Sequence, residues 1–182
     1  MKAFAYVVAP ERPAGAALKD LARQVGFEAA HDFIDVQGAE RQALLTPLLY
    51  FLFSAVSRPF ALKPIAQAIR AAASSRVRFA PMIYFAETAS IEVIKSCINM
   101  GFDDVIALPV GLGSLEERLE RQIARPLVYF ETATYFGPDR RGRLEHEEGH
   151  SLRGTGGEYR RLEIIRSPAG INVIKDDQHI MI

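Results

Sequence analysis

Residues 50–59 read YFLFSAVSRP, and the interpretation of the whole chain starts from this stretch. Apolar and aromatic residues run directly into Ser54, and Pro59 closes the segment, as expected for a buried strand followed by a loop. A continuous apolar run is typical of a strand in a parallel sheet that is covered on both faces. Because ligand sites of such sheets lie at the carboxyl ends of the strands, Ser54 occupies a position where a functional side chain is expected.

Strands and helices alternate on both sides of this segment. Further apolar runs predict strands over 3–9, 27–36, 79–86 and 103–109. Apolar residues at helical spacing predict helices over 13–26, 38–45, 61–75, 89–100 and 114–125, the last one capped by Ser114. Five strands alternating with five helices predict an α/β domain over residues 1–125, a doubly wound five-stranded parallel sheet.

The character of the chain changes at Pro126. Seven of the thirteen glycines fall in residues 126–182, which we interpret as a C-terminal extension with a glycine- and arginine-rich loop and a β-hairpin. The hairpin is predicted from YRRLEIIR and INVIK, joined by the turn residues 167–170. Since an isolated hairpin is only marginally stable, we expect Leu162, Ile164 and Val173 to be covered by the rest of the chain or by a second copy. We therefore predict a homodimer.

Composition excludes several classes of partner. The 22 basic residues balance the 22 acidic ones, so no overall field attracts nucleic acid or an acidic membrane. The single cysteine, Cys97, cannot form an internal disulfide, which fits a reducing compartment. The first apolar run ends at Pro10 and resembles no secretory signal, and no run approaches the ~20 residues of a membrane helix. We expect a cytoplasmic protein.

Local phrases within the first 125 residues carry a family resemblance. QVGFEAA follows the first predicted helix, NMGFDDVIALP contains the fifth strand, and Pro109 follows that strand directly. Together with the order of elements, these phrases make the segment similar to the receiver domain of bacterial response regulators, the CheY-like domains. The resemblance implies the same five-stranded fold, and it implies a cis peptide bond between Leu108 and Pro109.

The resemblance also identifies positions where phosphorylation chemistry is expected. A working receiver needs an acidic pair after its first strand for magnesium and an aspartate nucleophile after its third strand. It needs a hydroxyl after the fourth strand and a lysine after the fifth to bind phosphoryl oxygens. The corresponding positions of this chain are Ala9, Pro10, Ser54, Ala86 and Leu108. None of them offers that chemistry, so we expect Ser54 to be a buried hydroxyl bonded to the backbone.

A degenerate pseudo-receiver of this kind would be neither an enzyme nor a metal protein. The resemblance implies a signalling or scaffold role in two-component pathways, through protein–protein contacts that do not depend on phosphorylation and without a cofactor. In receivers the fourth helix, fifth strand and fifth helix commonly dock partners, and the extension follows directly and could cover or extend that face.

One stretch supports an alternative function. TYFGPDRRGR places two aromatic residues beside an arginine cluster. Arginine forks suit phosphates and the guanine edge, and aromatic rings stack on bases. The stretch is reminiscent of arginine-rich extensions that bind cyclic di-GMP, and the ligand-binding candidates are Tyr135, Phe136, Asp139, Arg140, Arg141 and Arg143. An equally good interpretation is a turn that holds the extension in place.

Two further motifs are interpreted as non-functional. The sequence HEEGH at 146–150 matches a zinc-protease pattern, but a glycine-rich context does not provide the helix that the chemistry needs. Asp103 and Asp104 form an acidic pair that we expect in a solvent-exposed loop.

Overall fold

The computed structural model describes residues 2–88, 90–139 and 158–179. Five parallel strands form the first sheet: β1 (Phe4–Val8), β2 (Ala29–Asp32), β3 (Leu49–Phe53), β4 (Met82–Ala86) and β5 (Asp104–Ala107). The helices between and after them are α1 (Arg12–Gln24), α2 (Val36–Leu45), α3 (Lys63–Arg70), α4 (Ser75–Arg78), α5 (Ile91–Asn99) and α6 (Leu112–Glu120). A 3-10 turn, Pro59–Leu62, precedes α3. Among the described residues, no helix combines the length and the apolar character needed to cross a bilayer.

The strand order is β2-β1-β3-β4-β5, and every pairing is parallel. All residues of β3 and β4 are buried, because helices cover both faces of the central strands. Phe51 and Phe53 face a core shared with α2 and α3, whereas Tyr50 and Leu52 face a core shared with α1 and α6. The predicted doubly wound α/β fold is therefore confirmed, and the Leu108–Pro109 bond is cis.

The boundaries of two predicted helices are wrong. The helix expected over 61–75 is divided into α3 and the single turn α4, because Ser74 starts a new helix and its amide donates to the Glu40 carboxylate at 2.9 Å. The last helix begins at Leu112 with Gly111 as its N-cap, so Ser114 lies inside the helix and does not cap it. Neither difference alters the topology.

The extension forms a sheet of its own. Four antiparallel strands within the described residues follow the order β7-β6-β8-β9: β6 (Pro126–Glu131), β7 (Phe136–Pro138), β8 (Tyr159–Ser167) and β9 (Gly170–His179). The predicted hairpin is confirmed as β8 and β9, with the expected turn between Ser167 and Gly170. The aromatic run before it, for which the sequence indicated no strand, supplies β6 and β7.

The extension packs against the amino-terminal end of β4 and β5. Phe79, just before β4, lies within 5.2 Å of Tyr129 and 5.4 Å of Phe136 between ring centroids, and Leu162 and Ile164 complete this cluster. Leu162 and Ile164 are therefore covered as predicted, and the residues that cover them belong to the same chain.

Two glycines allow the backbones of the two sheets to touch. A Cβ added to Gly101 would lie 2.5 Å from the Phe136 carbonyl oxygen, and one added to Gly137 would lie 2.7 Å from the Gly101 Cα. Gly101 also has a φ of 83°, a conformation that side chains disfavour. The contact between the two parts is therefore close enough to require these small residues.

Candidate functional site

The five positions singled out by the receiver resemblance lie at the carboxyl edge of the first sheet. They are Ala9, Pro10, Ser54, Ala86 and Leu108. The Ser54 amide donates to the Val8 carbonyl at 3.0 Å, and the Leu108 amide donates to the Ala86 carbonyl at 2.8 Å. The backbone thus brings these positions together as expected, because carboxyl ends of parallel strands meet at one edge.

Ser54 is buried there, with 4% of its surface exposed. Its burial was predicted correctly, but its expected hydrogen bond is absent: within the described chain the Oγ has no partner. The Tyr84 hydroxyl, on β4, accepts a hydrogen bond from the Val56 amide at 3.1 Å and makes none with Ser54. No described imidazole or carboxylate contacts the Ser54 hydroxyl, so nothing activates it as a nucleophile.

The described residues of this edge do not group into a magnesium site. Glu11 is exposed and stands at the N-cap of α1 without a side-chain capping bond. Among the residues that the structure describes, no three acidic, histidine or cysteine side chains are grouped to hold a metal ion. Hard divalent cations need several oxygen ligands, and the positions where a receiver has its acidic residues are Ala9, Pro10 and Ser54 here.

Exposed apolar side chains surround this edge. They follow the carboxyl ends of β2, β3, β4 and β5 respectively: Ile34 (87% exposed), Phe60 (63%), Ile91 (67%), and the pair Leu108 (38%) and Leu112 (44%). Scattered exposed leucines are ordinary on protein surfaces, but apolar residues concentrated on one edge are typical of an interface.

The most heavily buried charges lie at the opposite, amino-terminal end of the sheet. Asp103 accepts hydrogen bonds from Arg70 at 2.7 Å, Arg166 at 2.6 Å, the Tyr129 hydroxyl at 2.7 Å and the Met82 amide at 2.8 Å. Asp103 is 4% exposed and Arg166 is fully buried. This buried cluster, defined by Asp103, Arg70, Arg166 and Tyr129, joins the first sheet to the extension.

Every charged member of the buried cluster has hydrogen-bond partners. Arg70 also donates to the carbonyls of Gly101, Arg78 and Ala80, and Arg166 donates to those of Phe79 and Gln122. Burial alone would raise the pKa of Asp103, but the charges of the two guanidiniums and their hydrogen bonds outweigh it and hold that pKa well below its usual range. Burial raises the pKa of the Tyr129 phenol. Two guanidiniums against one carboxylate leave the cluster with net positive charge.

The prediction of a solvent-exposed acidic pair is therefore wrong. Asp103 is the centre of the buried cluster, and Asp104 is only 8% exposed. Asp104 accepts two hydrogen bonds from Arg118, at 3.0 and 2.7 Å, which fixes α6 against the start of β5. Both carboxylates are buried because each has an arginine partner that the local sequence does not reveal.

The ligand-binding candidates of the extension are only partly described. Tyr135 and Phe136 line a cleft of about 270 Å³ between α3 and the turn of residues 132–135. The guanidinium of Arg78 lies 4.0 Å from the centroid of the Phe136 ring, so one ring face is already covered. The Asp139 amide donates to the Val128 carbonyl at 2.7 Å. Arg140, Arg141 and Arg143, and the HEEGH segment, lie outside the described residues.

Comparison with known proteins gives structural matches only. No family model and no curated protein sequence matches the chain. The Vibrio cholerae chemotaxis protein CheY4 is similar in structure, with a TM-score of 0.51 and 15% identity over 66% of this chain and 98% of that one. The five-stranded part has the receiver fold.

Two other solved structures have lower scores. The receiver domain of a sensor histidine kinase from Pseudomonas aeruginosa has a TM-score of 0.48 and 20% identity, covering 65% of this chain and 95% of that one. A response regulator from Thermotoga maritima has a TM-score of 0.48 and 17% identity, covering 67% and 98%. At such identities these similarities concern the fold alone, and the function has to be argued from the site.

Proposed function

We propose that this chain is a pseudo-receiver, a non-catalytic signalling or scaffold protein of the two-component type that acts by protein–protein contact without phosphorylation. The observation that supports this proposal most is the carboxyl edge of the first sheet. It keeps the geometry of a receiver but presents Ala9, Ser54, Ala86 and Leu108, with an unbonded buried hydroxyl and no carboxylate among them.

The exposed apolar side chains supply the surface for such contacts. Ile91 opens α5, Leu108 follows β5 and Leu112 opens α6, so all three lie on one end of the α5–β5–α6 face. The sequence suggested that the extension could cover this face. The main contacts of the extension are instead with α3, α4 and the residues before β4 and β5. These apolar residues therefore remain open to a partner.

Treatment with acetyl phosphate and magnesium is expected to leave the mass of the protein unchanged. A stable acyl phosphate needs a carboxylate nucleophile, and cation and ammonium partners for its oxygens, and the positions Ser54, Ala9, Pro10 and Leu108 provide none of the three. Intact-mass spectrometry measures the result directly, with a phosphorylation-competent receiver as the positive control. An added phosphoryl group that disappears in Ser54→Ala would contradict the proposal.

A second copy of the chain is the partner that we propose first. Val173 and Ile174 on β9 are 40% and 46% exposed, and β9 pairs only with β8 among the described strands. We expect a dimer in sedimentation velocity, and we expect Ile174→Lys to shift the equilibrium towards monomer while Leu44→Lys, on α2, has no effect. A protein that stays monomeric at the highest attainable concentration would refute self-association.

The alternative, a cyclic di-GMP effector, is supported by the cleft that Tyr135 and Phe136 share with Lys63. Isothermal titration calorimetry with cyclic di-GMP separates the two proposals. Saturable binding favours the effector, and an absence of heat together with self-association favours the scaffold.

A further inference from the structure

A cleft lies where the two parts of the molecule meet. One wall is α3, with Lys63 and Gln67 one helical turn apart, and the end of α5 adds Asn99. The opposite wall is the turn of residues 132–135 in the extension, and Arg78 lies between the walls. Ligand sites are frequent at such junctions, and a volume of about 270 Å³ suits a small molecule.

Positive charge exceeds negative charge around this cleft. Five cationic side chains line the cleft or belong to the ion-pair networks that its lining residues form: Lys63, Arg70, Arg78, Arg160 and, through Asp103, Arg166. Three carboxylates oppose them: Asp103, Glu131 and Asp176. Glu131, the carboxylate on the cleft wall, is already shared by Arg78 and Arg160. The excess positive charge favours an anionic ligand, more strongly than in open solvent because the groups are partly buried.

Three polar side chains that line the cleft have donors without a protein partner among the described residues. Among the described residues, Lys63 has no ion pair, and the side-chain amides of Gln67 and Asn99 make no hydrogen bond. Lys63 contacts the ring of Phe60, with its Nζ 5.0 Å from the centroid. By contrast, Arg78 is held in one orientation by Glu131 and by the Phe136 ring, so its charge is fixed beside the cleft. Cationic and amide donors around one volume suit an oxyanion, because hydrogen bonds to an ionised acceptor are stronger than those between neutral groups.

We propose that this cleft binds the phosphate group of a small phosphate ester. Lys63 and Arg78 would supply the charge, and the amides of Gln67 and Asn99 would donate to the remaining phosphate oxygens. These four donors come from three helices, α3, α4 and α5, and a tetrahedral phosphate presents its oxygens in more directions than a planar carboxylate does. The site is distinct from the carboxyl edge of the sheet and goes beyond the scaffold function. It uses the cleft of the cyclic di-GMP alternative but does not depend on that ligand, because it requires only a phosphate group and the donors on α3, α4 and α5.

The test uses the full-length chain and four probes: inorganic phosphate, GMP, ribose 5-phosphate and the phosphate-free nucleoside guanosine. We expect saturable binding of the phosphate-bearing probes in calorimetry and a rise in melting temperature, with no binding of guanosine. Because removing a charge-assisted hydrogen bond commonly weakens binding about tenfold or more, Lys63→Ala should do so. Lys95→Ala, an exposed lysine of α5 that does not line the cleft, should bind as the wild type does.

The probes also identify the source of the ligand. Stronger binding of GMP than of ribose 5-phosphate indicates a nucleotide, and equal binding of both and of inorganic phosphate indicates a site for phosphate itself. The proposal is overturned if no phosphate-bearing probe binds, if guanosine binds as well as GMP, or if Lys63→Ala and Lys95→Ala bind alike. Any of these results would leave the scaffold function standing, because that function is tested by phosphorylation and sedimentation.

Discussion

Asp103→Asn is expected to lower the free energy of unfolding by about 3–5 kcal/mol, since removing one partner of a buried ion pair leaves an uncompensated charge. Here two guanidiniums lose their only common carboxylate, and the asparagine amide would point a donor at one of them. For a chain of this size the change corresponds to a fall in melting temperature of roughly 6–20 °C. Chemical denaturation followed by circular dichroism measures it.

Asp32→Asn is the matched control for this experiment. Asp32 also pairs with a basic residue, Lys19 at 2.8 Å, but its side chain is 66% exposed. Exposed pairs contribute little, so we expect a change within about 0.5 kcal/mol. Comparable losses in Asp103→Asn and Asp32→Asn would show that the buried cluster does not hold the two sheets together.

The difference in stability between the wild type and Asp103→Asn is expected to depend on pH in a definite direction. The folded state depresses the pKa of Asp103, so the stabilisation by its charge is fully present above the unfolded pKa of about 3.9. It is lost as the pH falls from there towards the lower, folded-state pKa. The stability gap between wild type and Asp103→Asn is therefore expected to be constant from neutral pH to about pH 5 and to shrink below pH 4.

The buried cluster shows which part of the structure the sequence could not reveal. Leu162 and Ile164 alternate along the predicted strand and so share one of its faces, and the next residue in that alternation is Arg166. The sequence therefore indicates that Arg166 lies on the apolar face, but its partner, Asp103, is 63 residues away along the chain. An arginine on an apolar face predicts a buried carboxylate somewhere in the fold, and the alternation does not say which one.

The carboxyl edge was easier to predict, because it depends on local features. Each parallel strand can be identified in the sequence as an apolar run, and the topology then brings the residues after the strands together. The sequence therefore predicted Ser54 at the carboxyl edge of the sheet without any knowledge of side-chain contacts. The missing hydrogen bond of its hydroxyl could not be predicted in the same way, since it depends on how Tyr84 and the loop after β3 are oriented.

The two ends of the first sheet therefore have different roles. The carboxyl edge, where receivers carry out chemistry, has apolar residues open to a partner. The amino-terminal end, where loops usually face solvent, carries the charges and aromatic residues that bind the extension. The buried charges lie at one end and an apolar surface open to a signalling partner at the other, so substitutions at the two ends should affect different properties.

Removing the extension after Arg125 is expected to have the largest effect of all. The truncated chain loses Arg166 and Tyr129, two of the partners of Asp103, and it exposes Phe79, which is only 4% exposed in the intact fold. We expect residues 1–125 to aggregate or to bind a hydrophobic dye without a cooperative thermal transition. Light scattering, dye fluorescence and calorimetry on the same sample measure these outcomes.

Two causes could make the truncated chain unstable: the loss of the partners of Asp103, and the exposure of Phe79. Arg166→Met in the full-length chain distinguishes them. Methionine keeps part of the buried volume of Arg166 and leaves Asp103 paired with Arg70 and bonded to Tyr129. If covering Phe79 and its neighbours is the main contribution, this variant should unfold cooperatively at a moderately lower temperature. If the ion pair and hydrogen bonds of Arg166 are the main contribution, it should approach the behaviour of the truncation. A soluble 1–125 fragment with the unfolding midpoint of the full chain would show instead that the receiver fold is independent of its extension, because neither the buried cluster nor the Phe79 contacts would then be needed.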